Sequence, residues 1–457
     1  MQRDMTQGSV WKHILFFSLP IMLGNLLQQL YNTVDGIVVG NYVSQDALAA
    51  VGGCASLAFL FLAISIGMGN GGGVMIAQFY GAGRMDEMRR AVSTLLIMLL
   101  TMGLVLSLVG IIFARGLIVN VMRVDDLAVQ DMAVTYFGIY SVGLMFQYMY
   151  NAIASILRAL GDSKATLYFL LITALLNIVL DLLFVLKLGL GVFGVGLATV
   201  IAEVICAGVS LIYMLKRYPM FRFKKGEFVF DTHKFKIALR LGVPASIQQA
   251  VVSLGNVFIQ RLVNSFGSAT MAAYTVGNRL ENYTLLPVLS INAGVATFTG
   301  QNVGAGHFDR VRKGFWTSIL LAVCAIAIIC PLLYTFAAPL SQLFGTEGEG
   351  LRQSVEMIHF MSIVFVLFAI YNPANGVLQG AGDAIWATIS TLTTLAVRVA
   401  LAYSLVYFFE FNYSAAWVPM PVGWILASLV SFIRFFSGKW KSKAVVSHPA
   451  EGEEAGA

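Results

Sequence analysis

Residues 78–90 read Gln-Phe-Tyr-Gly-Ala-Gly-Arg-Met-Asp-Glu-Met-Arg-Arg, and residues 301–313 read Gln-Asn-Val-Gly-Ala-Gly-His-Phe-Asp-Arg-Val-Arg-Lys. Six residue identities recur between these stretches at an offset of 301 − 78 = 223. Two further matches keep the same order, at offsets of 224 and 221: Pro20 with Pro244, and Tyr150-Asn151 and Gly161-Asp162 with Tyr371-Asn372 and Gly382-Asp383. Ordered matches at a nearly constant spacing indicate an internal duplication.

The composition is that of a membrane protein. The chain is 58% hydrophobic and 11% charged, whereas a soluble domain carries roughly 25% charged residues. About 20 apolar residues are needed to cross a ~30 Å hydrocarbon core, and each crossing segment must be helical to satisfy its own backbone groups. We count twelve such spans, near residues 14–40, 45–79, 91–117, 128–157, 164–187, 190–216, 235–264, 269–301, 313–339, 352–378, 384–409 and 413–437.

The duplication divides these spans into two sets of six. We predict an all-α integral membrane protein with two pseudo-symmetric six-helix lobes around a central cleft. Because six is even, both copies enter the membrane from the same side, which makes the repeat parallel. The predicted parts are an N-terminal lobe over 1–216, a basic linker over 217–235, a C-terminal lobe over 236–437 and a polar, disordered tail over 438–457.

Basic residues set the predicted orientation. With the N-terminus inside, 22 of the 29 Lys and Arg residues fall on the cytoplasmic side, as the positive-inside rule requires. We therefore expect an inner (plasma) membrane protein with both termini in the cytoplasm. The net charge of +6 then reflects topology and contact with membrane lipids rather than nucleic acid. Arg279 and Arg398 are the two basic residues that lie well inside their spans, away from the ends.

The repeated Gly-Ala-Gly segments are predicted to be tight turns. They lack the strand and the Lys-Ser/Thr pair that a phosphate-binding loop requires. Two glycines permit a sharp turn after span 2, and Asp86 and Asp309 are expected to cap the helices that follow.

Polar side chains form a stripe along the first span. Asn25, Gln28, Gln29, Asn32 and Asp35 recur at spacings of three and four, so they share one helix face. Span 7 repeats this rhythm, but Ile259 stands where the first copy has Asp35. We expect both stripes to line the cleft, with interhelical hydrogen bonding as the alternative role of the amides. The candidate cleft residues are Gln28, Asn32, Glu203, Asn256, Gln260 and Glu281.

A second carboxylate lies in span 5. The spacing of Asn177 and Asp181 places both on one face, and Thr199 and Glu203 repeat that spacing in span 6. Because a helix rises about 1.5 Å per residue, Asp35, Asp181 and Thr199 are expected to lie at similar depth. A carboxylate at the centre of a span costs roughly 2.5–3.5 kcal/mol to insert, and two adjacent carboxylates repel each other when both are ionised. These oxygen ligands therefore predict a site for H⁺ or Na⁺.

With these residues, the chain resembles the multidrug and toxic compound extrusion (MATE) transporters over about residues 8–437. The resemblance is carried by Pro20, Asn32-Thr-Val-Asp35-Gly36, Gln78 through Gly83, Arg158 through Lys164, Asn177-x3-Asp181, Thr199 and Gln301 through Gly306. It implies two six-helix lobes that form a V-shaped cleft, and efflux of organic cations driven by Na⁺ or H⁺.

The resemblance also implies residue roles. It assigns a first-lobe cation site to Asp35, Asn177, Asp181 and Thr199, and a helix bend coupled to protonation to Pro20. Some family members bind Na⁺ in the second lobe through a glutamate on helix 7, where this chain has Val252. The sequence therefore argues against a second cation site.

Three classes of function are open to a membrane protein with these features. The leading hypothesis is a cation-coupled antiporter that exports organic cations, works as a monomer, and needs no cofactor and no metal other than a possible Na⁺ at the first-lobe site. The alternative is a lipid-linked saccharide flippase of the related superfamily, which would be expected to have a strongly cationic cleft. An intramembrane enzyme would need a nucleophile–base or metal constellation, and the sequence has none.

Overall fold

The computed structural model describes residues 4–121, 126–224 and 226–446. These residues form thirteen α-helices and no β-strand. The helices are α1 Val10–Tyr42, α2 Gln45–Gly81, α3 Met85–Gly116, α4 Leu127–Ala159, α5 Ser163–Asp181, α6 Gly191–Arg217, α7 Thr232–Asn264, α8 Ser268–Gly304, α9 Phe308–Thr335, α10 Ala337–Leu343, α11 Gly348–Gly380, α12 Ala384–Phe409 and α13 Met420–Phe436. Short π-helical segments, Leu117–Val121 and Leu182–Lys187, extend α3 and α5.

Twelve of these helices are long, and they coincide with the twelve predicted spans. Ten are long and apolar enough to cross a membrane by length and composition alone; α4 and α8 carry too many polar residues to meet that criterion. Several boundaries differ from the prediction; α3, for example, begins at Met85, six residues before the predicted start. The ninth span ends at Thr335, where α10 begins a separate short helix. The last helix starts at Met420, with Pro421 in the first turn, the position at which proline fits a helix best.

The described residues form two compact units. The first comprises 23–76 and 84–247, and the second comprises 4–22, 77–83 and 248–446. α1 and α7 are therefore each divided between the units, after Met22 and after Ile247. The lobe boundaries drawn from the duplication stay a prediction.

Each unit has its own apolar core. In the first unit, Phe61, Phe137 and Leu144 are buried together, and the Tyr148 hydroxyl donates to the Phe61 carbonyl at 2.6 Å. In the second unit, Phe315 stacks on Phe435 with ring centroids 4.0 Å apart. Large apolar side chains are also exposed on both units, among them Ile112 and Ile328, so both units suit a lipid environment.

The linker between the two copies is attached to α3 within the first unit. Arg89 forms an ion pair with Glu227 at 2.7 Å, and the Ser93 hydroxyl donates to the Val229 carbonyl at 2.8 Å. The basic linker thus has a fixed course along the start of α3.

The two Gly-Ala-Gly turns interlock in the second unit. A β-carbon on Gly81 would collide with the backbone carbonyl of Gln301, and one on Gly304 would collide with that of Gln78. The duplicated turns therefore pack backbone to backbone, which only glycine permits. The turns are confirmed, but the predicted caps are wrong: the caps are Arg84 and His307, and neither side chain makes a capping bond.

The helices begin earlier than the capping prediction required. Asp86 and Asp309 therefore lie inside the first turn. There they still favour the helix through its dipole.

Both ends of the described chain are held by the glutamines of these turns. The backbone N–H of Met5 donates to Gln301 Oε1 at 2.9 Å, and that of Val445 donates to Gln78 Oε1 at 2.6 Å. The prediction of disorder is wrong for residues 438–446, where Trp440 is 3% exposed and stacks on Phe435. The rest of the predicted tail, 447–457, lies outside the described residues.

Candidate functional site

Asp35 and Asp181 come together in the first unit. Asp35 lies in the second half of α1, and Asp181 is the last residue of α5. Their carboxyl groups lie within hydrogen-bonding reach of each other. Because two neighbouring carboxylates repel each other when both are ionised, this arrangement favours a shared proton or a cation between them.

The buried atoms around this pair lack donors. Asp35 Oδ1, Asn177 Oδ1, Asp181 Oδ1 and Glu203 Oε2 are buried and have no hydrogen-bond partner among the described residues. All four are acceptor oxygens. Buried polar atoms are normally paired, so a cluster of acceptors alone is suited to a bound cation or to protons.

Asn177 and Thr199 join the aspartate pair to the neighbouring helix. The Asn177 amide lies 3.5 Å from the Thr199 hydroxyl, which itself donates to the Val195 carbonyl at 3.1 Å. Asn177 and Asp181 are 2% and 1% exposed. α5 changes to π-helical geometry immediately after Asp181, and such segments are frequent at functional sites.

Glu203 owes its position to a glycine. Its Oε2 occupies the space that a β-carbon on Gly143 would fill, so α4 and α6 approach closely at this level. A larger residue on α4 would displace the carboxylate.

A cavity of about 270 Å³ opens beside the cluster within the first unit. Asn177, Thr199 and Glu203 line it, whereas Asp35 and Asp181 do not. Asn177 and Thr199 therefore belong both to the aspartate cluster and to the cavity wall. The remaining polar lining comes from Asn25, Gln28, Tyr31, Gln147, Tyr150, Asn151, Ser155, Arg158 and Thr173.

Sequence reasoning missed several of these residues. Tyr31 lies one helical turn before Asp35 and within electrostatic range of Asp35, Asp181 and Glu203. That spacing of four was a signal that could have identified it. Gln147 and Arg158 on α4 gave no comparable signal, because nothing in the sequence shows which face of α4 meets α6.

The other predicted cleft residues fall in different surroundings. Gln28 lines the first-unit cavity, whereas Asn32 is exposed and does not. In the second unit, Asn256 is exposed and the Gln260 amide donates to Asn264 at 2.8 Å. Pro20 lies inside α1, which continues through it, and proline has no backbone N–H to donate within the helix.

The second unit has a neutral polar network in place of the carboxylates. Gln248 donates to Thr391 at 2.6 Å, and Thr391 lies 2.7 Å from the Tyr371 hydroxyl. The Asn375 amide donates to the Ala387 carbonyl at 2.8 Å, and Gln379 donates to Asn375 at 2.9 Å. The network is internally satisfied.

Glu281 is partly buried elsewhere in this unit and lies within electrostatic range of Arg398. No group of three or more His, Cys, Asp or Glu side chains that could hold a metal ion occurs among the described residues. Any ion at the aspartate pair would therefore draw its remaining ligands from amide and hydroxyl oxygens.

Comparison with known proteins is consistent with this architecture. A family model, MatE, matches residues 20–183 and again 244–404. The two matched segments start at Pro20 and at Pro244, the prolines that the internal duplication pairs.

Curated relatives and solved structures match over nearly the whole chain. The probable multidrug resistance protein YoeA of Bacillus subtilis is 30% identical over 454 residues, covering 96% of both chains. The probable multidrug resistance protein NorM of Thermotoga maritima is 25% identical, covering 95% of this chain and 94% of its own. A crystal structure of MATE in complex with MaL6 superposes with a TM-score of 0.89 at 23% identity, covering 96% of this chain and 98% of that chain.

Proposed function

The chain belongs to the MATE family of membrane transporters, and from this premise we propose that it is a cation-coupled antiporter that exports organic cations. Members of this family are transporters rather than enzymes and need no cofactor. The family fold has two lobes of six helices, in agreement with the twelve long helices found here. The relatives named as multidrug resistance proteins support amphipathic organic compounds as the exported class.

The observation that carries the proposal is the set of buried acceptor oxygens around Asp35 and Asp181. The Oδ1 atoms of Asp35, Asn177 and Asp181 have no donors among the described residues, and the two aspartate carboxyl groups interact with each other. This arrangement favours binding of H⁺ or Na⁺. We assign the ion to Asp35, Asn177, Asp181 and Thr199. Carboxylate, amide and hydroxyl oxygens are hard ligands, which suit Na⁺ as well as a proton.

Coupling follows from the residues shared by the ion cluster and the cavity. When an ion binds, Asn177 and Thr199 turn their oxygens toward it and change the polar wall of the cavity. Substrate and ion thus compete for the same side chains, and ion binding releases the exported compound. A singly charged ion that moves down 100 mV supplies about 2.3 kcal/mol, which is enough for nearly two decades of substrate gradient when no substrate charge moves back.

We also propose the membrane location, the orientation and the transport cycle of the protein. The charge distribution supports an inner-membrane location with both termini in the cytoplasm. We propose alternating access by a monomer, with Pro20 as the hinge of α1 and membrane lipids as the surrounding solvent.

Transport by proteoliposomes tests the proposal. The purified protein is reconstituted with ethidium, and a pH gradient or a Na⁺ gradient is imposed separately. We expect one gradient to drive ethidium transport in the wild type, and neither gradient to drive it in Asp35→Asn. Ethidium transport that depends on neither gradient, or that persists in Asp35→Asn, would overturn ion coupling at Asp35 and Asp181. A protein that moves lipid-linked saccharide instead of ethidium would be a flippase.

A further inference from the structure

Arg398 occupies in the second copy the position that Asn177 occupies in the first. α5 follows Asp162 and α12 follows Asp383, and these aspartates are matched in the duplication. Asn177 and Arg398 follow their respective aspartates at the same spacing, since 177 − 162 equals 398 − 383. The duplicated helix therefore presents a permanent cation at the level where its counterpart presents an acceptor.

The guanidinium of Arg398 is incompletely satisfied. Its Nη2 donates to the Tyr274 hydroxyl at 3.0 Å, whereas its Nε is buried without a hydrogen-bond partner among the described residues. Glu281 is within electrostatic range but does not form an ion pair with it in the described part of the chain. On the acidic side chains near Asp35, the buried atoms without a hydrogen-bond partner are acceptors. On Arg398, the buried atom without a partner is a donor.

Arg398 also lies deep in its helix. It is separated from the end of α12 at Phe409 by about 16 Å along the helix axis. Glu281 is separated from the start of α8 at Ser268 by about 20 Å. An ionised side chain at such depth is costly and marks a functional site by default.

A structural ion pair with Glu281 is the simplest competing explanation. It would use the donors of Arg398, and the free Nε shows that one of them remains available. The planar guanidinium fork matches a carboxylate group in shape as well as charge. An incoming carboxylate would therefore satisfy both Nε and the charge.

We propose that Arg398, positioned by Tyr274, forms an anion subsite in the second unit that binds the carboxylate of zwitterionic amphipathic compounds. Glu281 supplies the opposite charge of the same subsite and contacts the cationic part of such a compound. This inference rests on the proposed export function and deepens it, because it assigns recognition of a substrate's negative charge to a particular residue of the second unit.

A pair of matched dyes tests the inference. Rhodamine B carries a free carboxylate, and its ethyl ester has the same ring system without that negative charge. Binding of each dye to the purified protein is measured by fluorescence polarisation, and transport of each is measured in proteoliposomes. The variants are Arg398→Gln, Arg398→Lys and the milder Tyr274→Phe. The control is Arg279→Gln, because Arg279 is the other arginine within these spans and is exposed, lying over the Phe344 ring.

We expect Arg398→Gln to weaken rhodamine B binding by about tenfold or more, the usual effect of losing a charged hydrogen bond, and to leave the ester nearly unchanged. Arg398→Lys should retain part of the affinity, Tyr274→Phe should weaken rhodamine B selectively, and Arg279→Gln should affect neither dye. Equal losses for both dyes, or no loss of rhodamine B in any variant, would overturn the subsite.

Measurements on the wild-type protein distinguish a failure of this inference from a failure of the proposed export function. A wild-type protein that transports the ester but not rhodamine B would overturn the subsite and leave cation export standing. A wild-type protein that transports neither dye would count against the export function itself, and against the subsite with it.

Discussion

The carboxylate of Glu203 on α6 lies against the backbone of Gly143 on α4, in the space that a β-carbon on this glycine would occupy. A charged group that lines the first-unit cavity is thus positioned by the absence of a side chain on the facing helix. The arrangement makes Gly143 a sensitive test of how much the location of this carboxylate matters.

Gly143→Ala should impair transport without unfolding the protein. The added methyl group meets the flexible end of Glu203, which can turn away, and the side chain of Val200 at 3.2 Å, so we expect the free energy of unfolding to fall by only about 1 kcal/mol, the low end for overpacking. Transport of ethidium should fall by roughly tenfold, equivalent to about 1.4 kcal/mol. The control is Gly138→Ala on the same helix, where nothing lies within 4 Å of an added β-carbon. Equal transport by the two variants would exclude a role for the Glu203 position.

Asp35→Asn and Asp181→Asn should each abolish ion release on substrate addition. If the pair holds one ion, either change removes charge that the ion needs, and the double variant should be no worse than each single variant. Release of H⁺ or Na⁺ from purified protein is measured on addition of ethidium. Asp46→Asn, an exposed acidic residue at the start of α2, serves as the control. A release signal that survives in both single variants would move coupling to Glu203 or Glu281.

Gly81→Ala should destabilise the second unit strongly. The new β-carbon would collide with the backbone carbonyl of Gln301, which cannot turn away as a side chain can, so we expect a loss of about 3 kcal/mol or more. Gly53→Ala lies in the same helix with nothing within 4 Å of the new atom and should be neutral or slightly stabilising. Thermal unfolding in detergent compares the two. Coincident melting curves would show that the interlocked turns can separate at no cost.

Pro20→Ala should leave the protein folded but slow its transport. The substitution restores a backbone N–H that can donate within the helix and removes the proline ring, which straightens and stiffens α1. Expression level and melting temperature report the fold, and ethidium transport reports the hinge. Undiminished transport at normal expression would mean that α1 merely tolerates this proline.

Stability of the linker should depend on pH through Glu227. The backbone N–H of Lys224 donates to this carboxylate at 2.9 Å, and Arg89 pairs with it at 2.7 Å. Both contacts favour the ionised form and lower the pKa of Glu227 below its ordinary value of 4.5. They therefore stabilise the fold above pH 4.5, and their contribution is lost as the pH falls through the lowered pKa. Because Glu227 is largely solvated, we expect a small effect.

Glu227→Gln makes this dependence measurable. Its melting temperature should lie below that of the wild type at about pH 7, and the difference should shrink at about pH 3. Asp131→Asn changes an exposed acid beyond the first turn of α4 and should lack this pattern. A difference between Glu227→Gln and wild type that stays constant over the range would rule out the carboxylate charge as its cause.

The sequence predicted the helices well, whereas the ion site assigned to Asp35, Asn177, Asp181 and Thr199 stays a prediction. Apolar runs of spanning length identify buried helices directly, and fourfold spacing placed Asn177 and Asp181 on one face. The contact between Glu203 and Gly143 could not be predicted, because a glycine within a helix gives no signal until the facing helix is known. For the same reason, the sequence did not identify Gln147 and Arg158 as residues that line the cavity.

For the segment after α13, the prediction of disorder failed for a different reason. Its local composition is polar and charged, which is typical of disorder. Trp440 nevertheless stacks on Phe435 with centroids 5.5 Å apart and packs edge-on against Phe308. Phe308 is 440 − 308 = 132 residues away in the sequence, and so distant a partner is invisible to a composition window.

The hydrogen bond between Gln78 and Val445 joins two residues that are synthesised far apart in time. Ribosomes make proteins from the N-terminus onward, so Gln78 enters the membrane early, at the end of the second helix. Its Oε1 receives the Val445 N–H only after all twelve long helices have been translated. A chain shortened before Val445 would keep every membrane helix and still leave this early turn unfinished, so assembly of the second unit is a post-translational event.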